Sequence, residues 1–319
     1  MTRLYWLLLA LAICLPAAVP ADAAGLPVAK KFIVIKTRAI DVSIQYPQTG
    51  NRAIDAALLA YARRAVDEFK GSAADKQADE NAYTLETTYA VERNDGQMFA
   101  VVFTEYTYTG GAHPNSDYTT LDFLLPDGAQ IFLPEIVDGS RGISRISSLA
   151  IASLTRTIGT GPDALSDKDT ITAGAGPLAD NFKHFVWLPN MLHIYFPAYQ
   201  VASYAAGPQE VSLPLSALKD VIRSDWRAPA PSFDCRKAAS VIEHAICADA
   251  AVARLDRQVA EVYQTKLHYA YQPADKEKLR QSQRNWVAMR NRSCAGDVAG
   301  PCLTKFYRDR LAVLNKAPT

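Results

Sequence analysis

The sequence predicts an α+β domain, an antiparallel sheet with packed helices, followed by a small all-α domain stabilised by disulfides. Three observations carry this. Up to about residue 213, short β-branched and aromatic runs are punctuated by turn signals, with a few helical stretches between them. From Ala238 onward, the apolar residues recur at helical spacing instead. After Cys14, the remaining cysteines, Cys235, Cys247, Cys294 and Cys302, all lie in the last 85 residues of the 319-residue chain.

Taken in order, residues 31–46 are β-branched and partly alternating, which predicts one or two strands. Asn51 is placed to cap a helix running to about residue 70, with Ile54, Leu58, Tyr61, Ala65 and Phe69 on one face. Residues 83–93 and 97–108 read as strands joined at Asn94-Asp95-Gly96. Residues 118–125 and 129–132 flank a turn at Pro126-Asp127-Gly128. A helix is expected within 140–157, strands at 182–188, 191–196 and 210–213, and a short closing helix at 215–223. In the second domain a first helix is expected at 238–247 and a longer one capped by Asp249. Pro273 breaks that helix, Asp275 starts a third, and Pro301 begins a fourth.

The seam is the Ala- and Pro-rich stretch 224–232, which predicts an extended linker. Charge changes across it. Residues 24–232 hold 18 Lys and Arg against 23 Asp and Glu, and residues from Phe233 onward hold 15 against 9. An acidic domain at 24–223 is therefore expected to precede a basic one at 233–319. The whole chain is nearly neutral at +1, which removes any global argument for a nucleic-acid partner.

The N-terminus reads as an address. Arg3, an apolar run from Leu4 to Val19, and Ala21-Asp22-Ala23 have the form of a cleaved secretory signal over residues 1–23. The run is shorter than the roughly 20 residues of a comfortable membrane span, so no stable span is expected after cleavage. An uncleaved anchor and a lipoprotein modified at Cys14 are the alternatives. Export, and a periplasmic location, fit the cysteine usage: four mature cysteines in a compact region suggest two disulfides. Of three possible pairings, Cys235–Cys247 with Cys294–Cys302 is preferred because each pair brackets a short helix or loop that can double back; the crossed pairings stay open. No CxxC pair points to a metal.

The most distinctive local sequence is the string YTYTGGAHPN at 106–115. Paired glycines permit positive φ and close backbone approach, and a histidine before proline is pushed to extended geometry. With LPEI at 133–136 and LHIYFPAYQVA at 192–202, this string resembles the exported domain of RsiV-like anti-sigma factors, which also stands beside some peptidoglycan deacetylases, the DUF4163/DUF3298 class. The resemblance implies an α+β fold over about 28–223 and, for the RsiV type, a receptor that binds lysozyme. With no cytoplasmic segment ahead of the apolar run, the anti-sigma role itself is not expected here.

The second domain, over about 232–316, resembles the lysozyme-inhibitor LprI N-terminal family, DUF1311. The residues that carry it are Phe233, Asp234, Cys235, Glu243, Ile246, Cys247, Leu255, Asp256, Tyr263, Gln283, Trp286, Arg290, Cys294 and Cys302. That resemblance implies lysozyme as a partner; a peptidoglycan- or envelope-associated accessory module is the alternative reading, and a cell-wall hydrolase whose site is assembled from dispersed residues is the third.

The candidate partner-binding residues are Tyr108, Gly110, Gly111, His113, Pro114 and Asn115 at the hairpin tip. For His113 a loop-fixing role stands beside the binding one. Gln283, Trp286 and Arg290 share a helical face, either as a binding patch or as a Trp anchor with a satisfied polar edge. Glu243 and Asp256 read as partners for such an arginine. No GxSxG, HExxH or phosphate-loop pattern is present, and no catalytic residue, metal or cofactor is expected.

Overall fold

The computed structural model describes residues 25–73, 81–159, 161, 164–227, 231–270, 272–296 and 299–314. The expected signal segment, and part of the expected linker, lie outside the described residues.

The acidic part is an α+β domain with two sheets. In the larger one, strands β1 (Ala29–Lys36), β2 (Ile40–Gln48), β3 (Tyr83–Asn94), β4 (Met98–Tyr108), β5 (Asn115–Leu124) and β6 (Ala129–Ile131) are ordered as they occur in the chain. Helix α1 (Arg52–Ser72) lies between β2 and β3 in sequence. Its cap is the one the sequence predicts: the Asn51 side chain accepts hydrogen bonds from the backbone N–H groups of Ala53 and Ile54. Its buried face includes Ile54, Leu58, Tyr61, Ala65 and Phe69, packed on one side of the sheet against Val42, Ile44, Phe99, Val101 and Phe103.

The sheet is antiparallel as expected except at one pair. β2 and β3 run parallel, because α1 carries the chain back along the sheet before β3 begins; the other pairs are antiparallel. The β3–β4 turn forms as expected, with Gly96 at φ 74° and the Asp95 side chain accepting from the N–H groups of Gln97 and Met98.

Next come α2 (Leu133–Ile136), α3 (Gly139–Ile158) and α4 (Lys168–Gly174). The last of these, capped by Asp167, has no counterpart in the sequence-based expectation. A second sheet of β7 (Phe185–Trp187), β8 (Met191–Phe196) and β9 (Gln209–Pro214) packs with α3 around a separate core that includes Ile146, Leu154, Phe182 and Phe196. The helix expected at 215–223 is only a 3₁₀ turn at Leu215–Ala217 followed by turns, because Ile222 bridges Val137 instead of continuing a helix.

The basic part is helical: α5 (Val241–Ala248), α6 (Ala250–Tyr269), α7 (Pro273–Ser293) and α8 (Ala299–Leu314). α5 starts later than expected because Ser240 caps it. Pro273 does not merely end α6. It is the first residue of α7, where its missing N–H costs nothing. Disulfides Cys235–Cys247 and Cys294–Cys302 are both formed, the local pairing. The helical region touches the α+β domain through the Arg254 guanidinium, which donates to the Arg227 carbonyl, and through Gln258, which donates to the Gln130 carbonyl. Among the described residues, no helix is long and apolar enough to cross a membrane.

Candidate partner-binding site

The expected site residues sit where β4 turns into β5. The ladder ends at the pair Thr107–Asn115, and the chain between them forms the tip. Gly110 has φ 84°, and a Cβ there would meet the Tyr83 ring at 3.2 Å. Glycine is thus required at Gly110, whereas a Cβ at Gly111 would meet only the His113 carbonyl oxygen, at an ordinary 3.9 Å. Tyr108 is half-buried; Gly111, His113 and Asn115 are exposed.

His113 is exposed yet held. Its ring stacks on Tyr204 with centroids 3.8 Å apart and an interplanar angle of 19°. Its Nδ1 lies 3.2 Å from the Pro114 carbonyl, and the Tyr204 hydroxyl donates to that same oxygen at 2.5 Å. Tyr199, at φ 70°, lies against Tyr204 in turn at 5.5 Å. The loop-fixing role of His113 is therefore real, and it leaves the rest of the tip presented to solvent. Beside it, Ser116, Ala198, Tyr204 and residues 205–208 enclose a recess of about 300 Å³.

Beneath the tip two carboxylates face each other across the ladder, Glu105 on β4 and Asp117 on β5. Burial pushes half-buried Glu105 above the usual carboxylate range, against the hydrogen bond donated by the Tyr61 hydroxyl at 3.1 Å; Asp117, more exposed, is shifted the same way by partial desolvation. Sequence reading missed Tyr61, Glu105, Tyr199 and Tyr204. Strand alternation places Glu105 on the α1 side, but no local signal links Pro114 to a tyrosine 90 positions later.

In the helical region the shared face of α7 turns inward. Arg290 is buried, donates to the Tyr307 hydroxyl, and lies 3.7 Å from Asp256. The Tyr307 hydroxyl donates to Asp256 Oδ1 at 2.6 Å, and Asp256 Oδ2 accepts from both the N–H and the hydroxyl of Ser232. Trp286 packs edge-on against Tyr307, with the Arg290 guanidinium 5.3 Å from its ring. Gln283 accepts from Arg310. This cluster holds the helices together. Asp256 is the arginine's partner as expected, but Glu243 is not in hydrogen-bond contact with it. Glu243 instead accepts from the N–H groups of Ala239 and Ser240 in a capping box.

Comparison with known proteins follows this division. Residues 235–314 match the family described as lysozyme inhibitor LprI, residues 130–216 the family described as protein of unknown function DUF3298, and residues 33–116 the family described as deacetylase PdaC. Along the chain the matched segments follow one another in the order PdaC, DUF3298, LprI. It is 25% identical over 192 residues to the peptidoglycan-N-acetylmuramic acid deacetylase PdaC of Bacillus subtilis, an alignment covering 59% of this chain and 40% of that protein. The chain thus spans less than half the length of that curated relative. Solved DUF3298-family structures from Bacteroides fragilis and Pseudomonas aeruginosa align with TM-scores of 0.47 and 0.42 at 15% and 12% identity. They cover 64% and 65% of this chain, and 96% of each of those chains. The His113–Tyr204 stack joins the PdaC-matched segment to the DUF3298 segment.

Proposed function

We propose that this chain is an exported, periplasmic binding protein of the cell envelope that engages lysozyme and performs no chemistry of its own. The observation that carries the reading is the match of residues 235–314 to lysozyme inhibitor LprI. The RsiV-like, DUF4163-type resemblance of the tip string supports the same partner from the other part of the chain. Lysozymes of the animal type are cationic, so the acidic α+β domain is the electrostatically suited face, with Glu105 and Asp117 beneath its tip. The test mixes the purified mature chain with lysozyme and follows lysis of a cell-wall suspension. Slowed lysis supports the reading; undiminished lysis, with no complex at low salt, overturns it.

A second reading has one specific observation behind it, the match of residues 33–116, tip included, to the deacetylase PdaC family, beside the 25% identity to a peptidoglycan deacetylase. In this reading the chain is an accessory module that associates with wall glycan. Sedimentation with insoluble peptidoglycan tests it. Incubation of the chain alone with peptidoglycan, and a search for released fragments or acetate, tests the absence of catalysis.

A further inference from the structure

The acidic domain contains one markedly basic recess. It encloses about 450 Å³, and its lining includes Arg93, Lys219, Arg223 and Arg227 with Trp187 and Trp226. That volume lies in the range of small-molecule sites. Trp226 is half-buried at its edge, whereas Trp187 is only 3% exposed and packs edge-on against it.

Arg93 is the informative residue. Its side chain is only 4% exposed. Its Nε donates to Asp95 at 2.7 Å and its Nη1 to the Trp187 carbonyl at 2.8 Å, which leaves Nη2 with no acceptor among the described residues. A guanidinium is expensive to bury, and a free donor on one that lines an open recess favours an anion there. Around it, Arg223 is held by Asp225 through both carboxylate oxygens. Arg227 is uncompensated: it donates to the neutral Gln97 side chain and lies 5.0 Å from the Trp226 ring. Lys219 is exposed and has no acidic partner among the described residues. Four cations thus meet two charged carboxylates, Asp95 and Asp225; the third carboxyl near Arg93, Asp122, is held towards its neutral form by burial. A bare inorganic anion would use the charges and leave the exposed edge of Trp226 idle. A ring bearing one anionic group uses both.

We infer that this recess binds a carboxylated pyranose, its carboxylate taken by Arg93, Lys219 and Arg227 and its ring lying along Trp226. The inference rests on the wall-glycan reading, for muramic acid residues whose lactyl carboxylate is free of a stem peptide, and is independent of lysozyme binding. The probe is N-acetylmuramic acid, titrated into isotope-labelled full-length protein while the Trp226 indole N–H is followed by NMR. Saturable shifts are expected. N-acetylglucosamine, which lacks the carboxylate, and acetate, which lacks the ring, should bind at least about tenfold more weakly. Lys219→Ala with Arg227→Ala, both at exposed positions, should weaken binding of the acid by about tenfold or more while leaving the circular dichroism unchanged. Absence of saturable shifts, equal binding by the double variant, or equal binding of acetate overturns the inference. Tighter binding of glucose 6-phosphate than of the acid overturns the carboxylate assignment. If insoluble peptidoglycan sediments wild type and double variant alike while the sugar acid gives no shift, this recess is refuted and the wall-glycan reading survives.

Discussion

The Asp122 carboxylate on β5 accepts a hydrogen bond from the backbone N–H of Trp187 on β7, at 2.8 Å, and so fastens the second sheet onto the first. Two residues earlier, Thr120 does the same for the Phe185 N–H with its hydroxyl oxygen. Arg93 holds the other side of Trp187 by donating to its carbonyl. The junction is therefore made by side chains reaching strand backbone, in place of a continuous ladder.

That junction has a pH signature. Asp122 is 1% exposed and its Oδ2 has no hydrogen-bond partner among the described residues. Burial pushes its carboxyl up to about 7, against smaller opposing contributions from the Trp187 N–H and Arg93. A raised folded-state value means that the stabilising form is the protonated one. Its contribution is complete below the unfolded value near 4 and is lost as pH rises towards 7. His184 has the opposite sign: burial, helped by Lys183, pushes it down to about 4, so its contribution is present above about 6.5 and lost as pH falls towards 4. The two offset each other between. Asp122→Asn keeps the acceptor for Trp187 and removes the titration. It should raise the unfolding midpoint at pH 8, by up to about 4 kcal/mol of stability, and do much less at pH 4. Thermal melts across that range decide it; an equal change at both ends refutes the assignment.

The tip glycines should separate cleanly. Gly110→Ala forces a side chain onto a positive φ and against the Tyr83 ring, a cost of about 1–2 kcal/mol. Gly111→Ala meets only an ordinary 3.9 Å contact with the His113 carbonyl and should change stability by less than about 0.5 kcal/mol. Denaturant unfolding of the two variants measures the difference, and equal midpoints would contradict the geometry.

Much of this was legible in the sequence. The α1 stripe and its Asn51 cap are local facts, and so are the glycine turn at Gly96 and the Asp249 cap on α6. What was not legible depends on partners distant in sequence. β2 carries no mark of whether its neighbour runs parallel, since side-chain alternation is the same either way. The string at 106–115 announced an unusual turn, but His113 is fixed by Tyr204 from the second sheet's loop, which no spacing reveals. The face of Gln283, Trp286 and Arg290 was legible as a face, while its direction was not. Asp256, Tyr307 and Ser232 receive it from elsewhere in the helical region.

That inward face makes its own prediction. Tyr307→Phe removes one hydroxyl that both donates to Asp256 and accepts from Arg290, leaving two buried charged groups short of a bond. The loss should be about 1–3 kcal/mol. Asp256→Ala leaves Arg290 without its countercharge in a buried site and should cost more, about 3–5 kcal/mol. Chemical denaturation followed by helical circular dichroism ranks the two; a milder effect of Asp256→Ala would show that Arg290 does not depend on this carboxylate.

The last prediction concerns where lysozyme is met. The tip protrudes because Gly110 turns it and the His113–Tyr204 stack braces it, so its polar groups are presented without needing to be ordered first. If it is the contact, His113→Ala with Asn115→Ala should weaken lysozyme binding by about tenfold while circular dichroism stays unchanged. Tyr204→Ala should also weaken binding, because it removes both the stack and the hydroxyl bonded to the Pro114 carbonyl. Charge reversal at exposed Lys278 on α7 should leave binding unchanged. Association should slow as salt rises, since an acidic domain meeting a cationic protein is steered by long-range attraction that ions screen. Surface-immobilised lysozyme, with association and dissociation rates read separately, tests all four statements. A tip variant that stays folded and binds like wild type excludes the tip. A large effect at Lys278 moves the contact to the helical region.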